Sequence, residues 1–365
     1  MRIGVDCHVL SGKFQGSRTY MANLYQAVLD LRPTHDFIFF GHWREGKFFG
    51  EGHDHVDYPS ESRWKRLTYQ TAPLARRYRL EALHCNYISP LLLPAKSVLT
   101  VHDLLFETHP QFFDRSQLLR NKFLIRRSAR KAGQIHTVSE FSRQALIDIY
   151  RLPEESVFVV PDGVDLKKFS PGDKRSAAAR VFEKYRIRDY VLSVGRLEPR
   201  KNHVNLLRAY ALLKSRKEEV GPLVFVGQKD FGFHELFEMI SKLGLDKDVR
   251  ILERVDDAVL PDVYRAARIF VYPSYAEGFG IPPLEAMACE IPVVASCASA
   301  IREVTGDACL HVNPASSEDI AQAMHAIISD QSLADELSRK GGKQAKMWTW
   351  GKAAEKYLNA VAMME

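Results

Sequence analysis

The chain has 365 residues, of which 46% are hydrophobic and 26% are charged, as expected of a globular protein with more than one hydrophobic core. No apolar run approaches the ~20 residues that cross a bilayer, which argues against a membrane span. The five cysteines show no Cys-x-x-Cys pair or zinc-type spacing, which argues against a zinc site, and their odd number argues against a disulfide framework. The first ten residues are typical of a β-strand rather than a signal peptide, so we expect a cytoplasmic protein.

The net charge of +6 is unevenly distributed along the chain. Residues 1–160 contain 22 Lys and Arg against 16 Asp and Glu, whereas residues 161–365 contain 29 of each. Because the whole excess lies in the first half, we expect this half to meet an anionic partner, such as a phospholipid surface or a phosphate-bearing substrate.

Short β-branched runs alternate with amphipathic stretches, a pattern that predicts parallel sheets flanked by helices. A charged, proline-punctuated stretch at 161–189 separates two such halves. We predict two Rossmann-like α/β domains, 1–168 and 169–346, facing each other across a cleft, and a final helix in 347–365 that packs back toward the first domain. The twelve predicted strands are 2–6, 36–41, 82–85, 97–101, 134–138, 157–160, 190–194, 223–226, 249–252, 269–272, 292–295 and 308–312.

Ligands of open parallel sheets bind beyond the carboxyl ends of the strands, so polar residues that directly follow a strand are candidate site residues. In the first half, His102 and Asp103 follow the predicted strand 97–101. A lone histidine in such a position is more often structural than functional.

The basic excess of the first half is centred on residues 112–131. Cations recur there three and four residues apart with apolar residues between them, which predicts a basic amphipathic helix. Such a helix can lie on an anionic membrane, or it can be a solvated helix packed on its own domain. Its aromatic residues lie among aliphatic ones rather than being interleaved for stacking, which argues against nucleic-acid binding.

In the second half, the run Gly195-Arg196-Leu197-Glu198-Pro199-Arg200-Lys201-Asn202 follows the predicted strand 190–194 and precedes a helix. Gly195 permits a close backbone approach, and Arg196 and Lys201 place two cations beside a helix amino terminus. This arrangement suits a diphosphate. The alternative is a surface loop that happens to be basic.

A second run, 273–288, follows the predicted strand 269–272 and contains the sequence EGFGIPPLE. Its glycines free the backbone to turn N–H groups toward a ligand, and Pro283 suits the first turn of a helix. Glu277 and Glu285 then stand at the two ends of the loop, where carboxylates can accept hydrogen bonds from sugar hydroxyls or a ribose diol. The alternative is one solvent-exposed glutamate on the loop and one glutamate on the helix surface.

Three motifs together resemble those of the retaining GT-B glycosyltransferases of the family 4 class, and the similarity covers about residues 1–350. They are VGRLEPRKN, YPSYAEGFGIPPLEAMA and VVPDGVDLKKF. The resemblance implies that Arg196 and Lys201, after Gly195, hold the donor diphosphate, that Glu277 contacts the transferred sugar, and that Glu285 binds the ribose. It also implies that the backbone N–H groups of the loop formed by Gly278, Phe279, Gly280 and Ile281 meet the sugar and the phosphate. Val255 would flank the base of the nucleotide.

For the first domain, the resemblance implies that His102 faces the donor sugar and that Asp103 lies on the acceptor side. The loop after the first strand, residues 15–20 beginning at Gln15, corresponds to the glycine-rich loop of the family, with Gly16 near the donor and with Ser17, Arg18 and Tyr20 on the acceptor side. Ser17 or Arg18 replaces the usual second glycine. The run Cys297–Glu303 also departs from the family pattern, and we assign no site to it.

The resemblance further implies a metal-independent reaction that retains the anomeric configuration, in which the nucleotide diphosphate leaves from the face that the acceptor hydroxyl enters. Arg196 and Lys201 would stabilise the charge of the leaving group. The one Asp-x-Asp sequence, Asp246-Lys247-Asp248, precedes a predicted strand instead of following one. We interpret it as solvated loop charge, and we expect no metal or other cofactor.

We therefore predict a hexosyltransferase that acts on a nucleotide-sugar donor and a glycan or lipid-diphosphate-linked acceptor in polysaccharide or lipopolysaccharide biosynthesis, peripheral at the inner face of the membrane. GDP-mannose is the preferred donor, because the motifs are most similar to those of bacterial mannosyltransferases. The alternatives are a UDP-sugar donor and a non-catalytic GT-B binding subunit. An NAD-linked enzyme is excluded because no Gly-x-Gly-x-x-Gly follows the first strand.

Overall fold

The computed structural model of the chain describes residues 1–11, 16–43, 48–50 and 52–364, apart from the side chains of residues 115–117 and 120. Its strands form two sheets in which every pair of neighbours is parallel. The seven-stranded sheet has the order β3-β2-β1-β4-β5-β6-β7. Its strands are β1 (Arg2–Asp6), β2 (Asp36–Gly41), β3 (Asp54–Asp57), β4 (Ala82–Asn86), β5 (Lys96–Thr100), β6 (Gln134–Thr137) and β7 (Val157–Val159).

The six-stranded sheet has the order β10-β9-β8-β11-β12-β13. Its strands are β8 (Val191–Val194), β9 (Leu223–Val226), β10 (Val249–Leu252), β11 (Ile269–Tyr272), β12 (Val293–Ser296) and β13 (Leu310–Val312). All twelve predicted strands are present within one or two residues. The prediction missed β3, whose sequence DHVD has no apolar run because it is a short, largely exposed edge strand.

Helices separate most successive strands of each sheet. They are α1 (Gly16–Asp30), α2 (Arg63–Lys65), α3 (Thr71–Arg77), α4 (Leu105–Thr108), α5 (Arg115–Lys131), α6 (Glu140–Tyr150), α7 (Lys174–Tyr185), α8 (His203–Ser215), α9 (His234–Lys242), α10 (Leu260–Arg265), α11 (Ile281–Ala288), α12 (Ala300–Thr305), α13 (Ser317–Ser329), α14 (Gln331–Ala345) and α15 (Trp350–Ala362). A single π-helical turn, Arg66–Gln70, joins α2 to α3. Within the described residues, no helix has the length and apolar character needed to cross a membrane.

The chain divides into two compact units. The N-terminal unit contains Met1–Pro110, Arg115–Gly163 and Trp350–Glu365, and the C-terminal unit contains Gln111–Asp114 and Val164–Thr349. Helix α15 thus belongs to the N-terminal unit, where it packs on α1. The Tyr25 hydroxyl lies 2.7 Å from the Tyr357 hydroxyl and 2.5 Å from His84 Nδ1, so a buried polar network fixes this helix.

In each sheet the strand order reverses at one point, between β1 and β4 in the N-terminal unit and between β8 and β11 in the C-terminal unit. At such a switch point the loops on either side diverge and leave a crevice at the carboxyl edge of the sheet. The candidate residues 195–202 follow β8, and 273–280 follow β11, so topology places both runs at the same crevice.

Candidate active site

A short cationic turn follows β8. Pro199–Lys201 form one turn of 3₁₀ helix, and Asn202 ends it with a left-handed backbone, φ 60°. The buried Asn202 side chain donates hydrogen bonds to the carbonyl oxygens of Pro273, at 2.9 Å, and Pro314, at 2.6 Å. Asn202 therefore fixes the cationic turn against the loop that follows β11.

Glu277, on the loop after β11, is buried at the centre of an ion-paired cluster. Arg200 Nη1 donates to Glu277 Oε2 at 2.6 Å, and Lys201 Nζ donates to Oε1 at 2.7 Å. The Tyr272 hydroxyl also donates to Oε1, at 3.0 Å. The backbone N–H of Glu277 donates to Ser299 Oγ at 2.8 Å. Both carboxylate oxygens and the main chain of Glu277 are thus held in place.

The cluster determines the charge of Glu277. Burial by itself raises the pKa of this carboxyl group, but the attraction of Arg200 and then of Lys201 outweighs burial and brings the pKa to about 2. Burial lowers the pKa of Lys201, and the nearby Arg200 lowers it further, against the attraction of Glu277. Glu277 is therefore an ionised hydrogen-bond acceptor at neutral pH.

Arg196 lies at the exposed rim of the same region. Its guanidinium contacts Asp230, and its Nη2 lies 3.8 Å from Glu198 Oε2. The other carboxylate oxygen of Glu198 accepts a hydrogen bond from Arg200 at 2.5 Å. Glu198 thus links Arg196 to the cluster, whereas Lys201 contacts Glu277 directly. The Arg196 side chain is 43% exposed and can exchange its carboxylate partners for an incoming anion.

The loop continues through Gly278 and Phe279 into helix α11. Gly280 precedes the helix with φ 117° and ψ 64°, a left-handed conformation that glycine adopts without steric cost. Phe279 is buried and packs edge-on against Trp348, with ring centroids 5.3 Å apart. N–H groups in the first turn of a helix have no intrahelical acceptor, so Ile281 presents a donor at the amino end of α11.

Glu285 lies on α11 and is held differently from Glu277. The Tyr264 hydroxyl donates to Glu285 Oε2 at 2.6 Å, and no ion pair to Glu285 is present in the described part of the chain. Burial raises the pKa of Glu285 to about 7, despite the opposing effect of the hydrogen bond from Tyr264. Its carboxyl group therefore changes protonation state near neutral pH.

Two features singled out from the sequence lie on either side of β10. Val255 follows this strand and is half-buried, whereas the preceding Glu253 and Arg254 are exposed. In the Asp-x-Asp sequence, Asp246 accepts a hydrogen bond from Ser241 at 3.1 Å and Asp248 pairs with Lys214 at 2.9 Å. These two aspartates therefore have local structural partners.

In the N-terminal unit, His102 follows β5 and lies half-buried beside the end of β4. Its Nε2 is 3.3 Å from Asn86 Oδ1, and its ring meets the buried Tyr20 ring edge-on, with centroids 4.8 Å apart. Burial lowers the pKa of His102 to about 4. The imidazole is therefore neutral at physiological pH.

Two aspartates accompany His102. Asp103 Oδ1 accepts a hydrogen bond from the backbone N–H of Leu105 at 3.0 Å, at the start of α4. Asp162 is buried, and burial together with the nearby Asp103 charge raises its pKa to about 8. A largely protonated Asp162 thus avoids placing a second negative charge beside Asp103.

The predicted loop at residues 16–20 is wrong, because α1 begins at Gly16. Gly16 is exposed, Ser17 and Arg18 are half-buried, and Tyr20 is fully buried. The cause is the apolar periodicity of the following residues, which bury one face of α1 and extend the helix to this point. The predicted loop residue Gln15 lies outside the described residues.

Several residues of the cluster escaped the sequence-based prediction. Arg200 stands next to Lys201 in the basic run but has no motif position of its own, and the sequence marks Tyr272 only as the end of a strand. Ser299 belongs to the run that departs from the family pattern. It has φ 58° and ψ −148°, an unusual backbone for a residue with a side chain, and such conformations recur at functional sites.

Two family models match the chain in succession. "Glycosyltransferase Family 4" matches residues 14–168, and "Glycosyl transferases group 1" matches residues 175–346. The chain is similar over its full length to the structure of a sucrose-phosphate synthase from Thermosynechococcus elongatus, with a TM-score of 0.80, 20% identity and coverage of 100% of this chain and 98% of the other. This likeness confirms the GT-B fold class of two parallel-sheet α/β domains.

Curated relatives carry the family assignment. The O-antigen chain mannosyltransferase B of Escherichia coli is 32% identical over 273 residues, which are 74% of this chain and 71% of the relative. A D-inositol 3-phosphate glycosyltransferase of Kineococcus radiotolerans is 31% identical over 62% of this chain and 56% of its own length. Together with the two family models, these similarities establish that the chain belongs to the group 1 glycosyltransferases.

Proposed function

We propose that this glycosyltransferase moves a hexose from a nucleotide-sugar donor to a glycan or lipid-linked acceptor in polysaccharide assembly, with mannose from GDP-mannose as the first candidate. The ionised Glu277, fixed by Arg200, Lys201 and Tyr272 beside the amino end of α11, carries the proposal. A carboxylate so held can accept hydrogen bonds from the hydroxyls of the transferred sugar without reorganising. The similarity to a curated mannosyltransferase supports the choice of sugar.

The cations supply the leaving-group chemistry in this proposal. Lys201 and Arg196 stabilise the negative charge that develops on the nucleotide diphosphate as the glycosidic bond breaks, with Arg196 leaving Asp230 for a phosphate oxygen. The acceptor hydroxyl enters on the face that the diphosphate leaves, and the anomeric configuration is retained. Glu285 accepts hydrogen bonds from the ribose diol, and Val255 borders the base.

His102 acts in this scheme as a neutral hydrogen-bonding residue. If Nε2 carries the ring proton and donates a hydrogen bond to Asn86 Oδ1, then Nδ1 is left to accept a hydrogen bond from a sugar hydroxyl. Its low pKa keeps this acceptor unprotonated at neutral pH. Asp103 and the residues Ser17 and Arg18 contribute to the acceptor side.

A thermal-shift screen against GDP, UDP, ADP and dTDP and their common sugar conjugates tests the proposal, because a ligand that binds only the folded state raises the melting temperature. We expect GDP and GDP-mannose to give the largest shifts. Transfer from the best donor is then followed by NMR, which reports the anomeric configuration of the product. No shift with any nucleotide would overturn the transferase proposal, and an inverted product would overturn the retaining mechanism.

A phosphorylated acceptor is the second candidate, because several relatives of similar identity are named D-inositol 3-phosphate glycosyltransferases. Offering D-inositol 3-phosphate and a mannose-terminated oligosaccharide to the enzyme with the same donor separates the two acceptor classes. A UDP-sugar donor is the alternative on the donor side, and the nucleotide screen decides it.

A further inference from the structure

Six of the twelve large hydrophobic side chains exposed in the described part of the chain lie on three segments of the N-terminal unit. The segments are the helical stretch 63–77, the β4–β5 loop 87–95 and helix α5. We call these side chains the apolar ridge: Trp64, Tyr69, Leu91, Leu92, Leu119 and Phe123. Their exposure ranges from 45% to 78%. Isolated exposed hydrophobic residues are normal, whereas a cluster indicates a binding surface.

Hydrogen bonds hold the three segments together. The backbone N–H of Leu91 donates to the Leu67 carbonyl oxygen at 2.8 Å, and Arg127 Nη2 donates to the Leu91 carbonyl oxygen at 3.1 Å. The backbone N–H of Ser89 donates to Ser128 Oγ at 3.1 Å. The β4–β5 loop therefore bridges the other two segments, and the six side chains of the apolar ridge lie on segments that are bonded to one another.

The region around the ridge is strongly basic. Residues 61–80 contain six Lys and Arg against one acidic residue, residues 112–131 contain seven against one, and residues 87–95 contain no charged residue. Exposed Arg63 and Lys65 flank Trp64, and exposed Arg126 and Arg130 lie on α5. A surface that combines exposed apolar side chains with surrounding cations is complementary to an anionic lipid bilayer.

We infer that the N-terminal unit docks on an anionic phospholipid bilayer through the apolar ridge. The leucine, phenylalanine and tryptophan side chains enter the interface between headgroups and acyl chains, and the surrounding Lys and Arg contact the phosphates. The ridge extends the membrane contact predicted for residues 112–131 to two further segments. It adds a partner to the proposed function and does not depend on the donor or the sugar.

Co-flotation with vesicles tests this inference. We expect the wild-type protein to float with vesicles of equimolar phosphatidylglycerol and phosphatidylcholine, to bind pure phosphatidylcholine vesicles much more weakly, and to be released from the anionic vesicles by salt. The tryptophan emission of the protein should shift to the blue on anionic vesicles, and Trp64→Phe should remove most of that shift. Equal binding to both kinds of vesicle would overturn the part of the inference in which Lys and Arg side chains contact the lipid phosphates.

Matched variants test the ridge itself. Leu92→Glu combined with Phe123→Glu should weaken partitioning onto anionic vesicles about a hundredfold, since each buried side chain contributes roughly a factor of ten. Leu31→Glu combined with Met363→Glu makes the same chemical change at two exposed sites outside the ridge, and should leave partitioning unchanged. Equal losses in both double variants, or no loss in the first, would overturn the inference.

Two further measurements distinguish failure of the bilayer inference from misfolding of the variant and from failure of the proposed function. The nucleotide-induced thermal shift and the transfer to a soluble acceptor should persist in the Leu92→Glu, Phe123→Glu variant. Their persistence would show that this variant is folded. Loss of transfer by a wild-type protein that still binds vesicles would contradict only the proposed function. If the wild type elutes as a dimer that this variant abolishes, and if it does not bind vesicles, then the ridge is an interface between copies and the bilayer inference is wrong.

Discussion

Three ionisable groups at the carboxyl edges of the two sheets differ in charge because their partners differ. In the C-terminal unit, Glu277 stays ionised because Arg200 and Lys201 contact its two oxygens, and its pKa falls to about 2. In the N-terminal unit, burial shifts His102 and Asp162 toward their neutral forms, with pKa values of about 4 and 8. Pairing with a counter-ion, rather than burial alone, decides which buried groups carry charge.

Glu285 sharpens this comparison, because it belongs to the same unit as Glu277 and follows the same loop. Its contact is the Tyr264 hydroxyl instead of a cation, and its pKa rises to about 7. In this respect Glu285 resembles Asp162 of the other unit. The difference therefore arises from the local partners of each carboxyl group and not from the unit that contains it.

Glu277→Ala should have the largest effect, because it leaves Arg200 and Lys201 buried without their shared counter-ion. Removing one partner of a buried ion pair costs about 3–5 kcal/mol of the free energy of unfolding. Denaturant unfolding measures this loss, and sugar transfer should disappear as well. Glu183→Ala, on the exposed side of α7, is the control and should change stability by less than about 0.5 kcal/mol. Equal stability of the two variants would contradict the importance of the cluster.

Asp162→Asn should stabilise the protein at alkaline pH by an amount on the order of a few kcal/mol. The folded-state pKa of about 8 lies above the ordinary value of 3.8, so the folded state binds the proton more tightly. The wild-type contribution is then fully present below about pH 4 and is lost as the pH rises through 8. Melting temperatures from pH 4 to 9 measure the gap between the variant and the wild type, which should widen with pH.

The exposed Asp148→Asn is the control for this experiment and should follow the wild type at every pH. A constant difference in melting temperature between Asp162→Asn and the wild type would mean that Asp162 does not titrate between pH 4 and 9. Burial would then not raise its pKa into this range.

Donor binding should weaken about tenfold between pH 8 and pH 6 if Glu285 must be ionised to accept the ribose hydroxyls. The pKa of about 7 sets the midpoint, and affinity falls as the pH falls because the carboxylate becomes protonated. Titration with GDP, followed by thermal shift or calorimetry, gives the profile. Glu285→Gln should flatten it, and Tyr264→Phe should move its midpoint to higher pH. A wild-type profile that is already flat would remove Glu285 from the ribose site.

Arg196→Ala should have the smallest effect on stability, less than about 1 kcal/mol, because Arg196 forms exposed ion pairs. Its effect should appear in the nucleotide-induced thermal shift, which should shrink while the melting temperature of the free protein stays constant. Arg200→Ala provides the contrast, since it should lower the melting temperature before any ligand is added. If the two arginine variants behave alike, the distinction between rim and cluster is wrong.

The sequence predicted the sheets well because β-branched runs are a local signal. Every predicted strand is present, and the strand that the prediction missed among the described residues, β3, is an exposed edge strand without an apolar run. The candidate residues after β8 and β11 could also be proposed, because the carboxyl edge of a parallel sheet gathers such loops whatever their sequence. The experiments above test the roles assigned to Arg196 and Glu285, and the role of His102 remains a prediction.

The partners of Glu277 could not be predicted, because they depend on tertiary contacts. Arg200 and Lys201 are adjacent in the sequence, yet their meeting with Glu277 depends on how Asn202 fixes the turn against the β11 loop. Ser299 accepts a hydrogen bond from the main chain of Glu277, and it lies in a run of the sequence that departs from the family pattern. Likewise, the apolar ridge joins segments from three parts of the chain.

By itself, the sequence determined the class of fold, the positions of the strands, the excess of basic residues in the first half and the two runs from which the candidate site is built. These properties follow from local composition and periodicity. The tertiary structure decided which charges survive burial, because the free energy of a buried charge depends on the atoms within a few ångströms of it. Glu277 and Glu285 stand eight residues apart in one motif, and only their spatial partners distinguish a permanent anion from a group that titrates near neutrality.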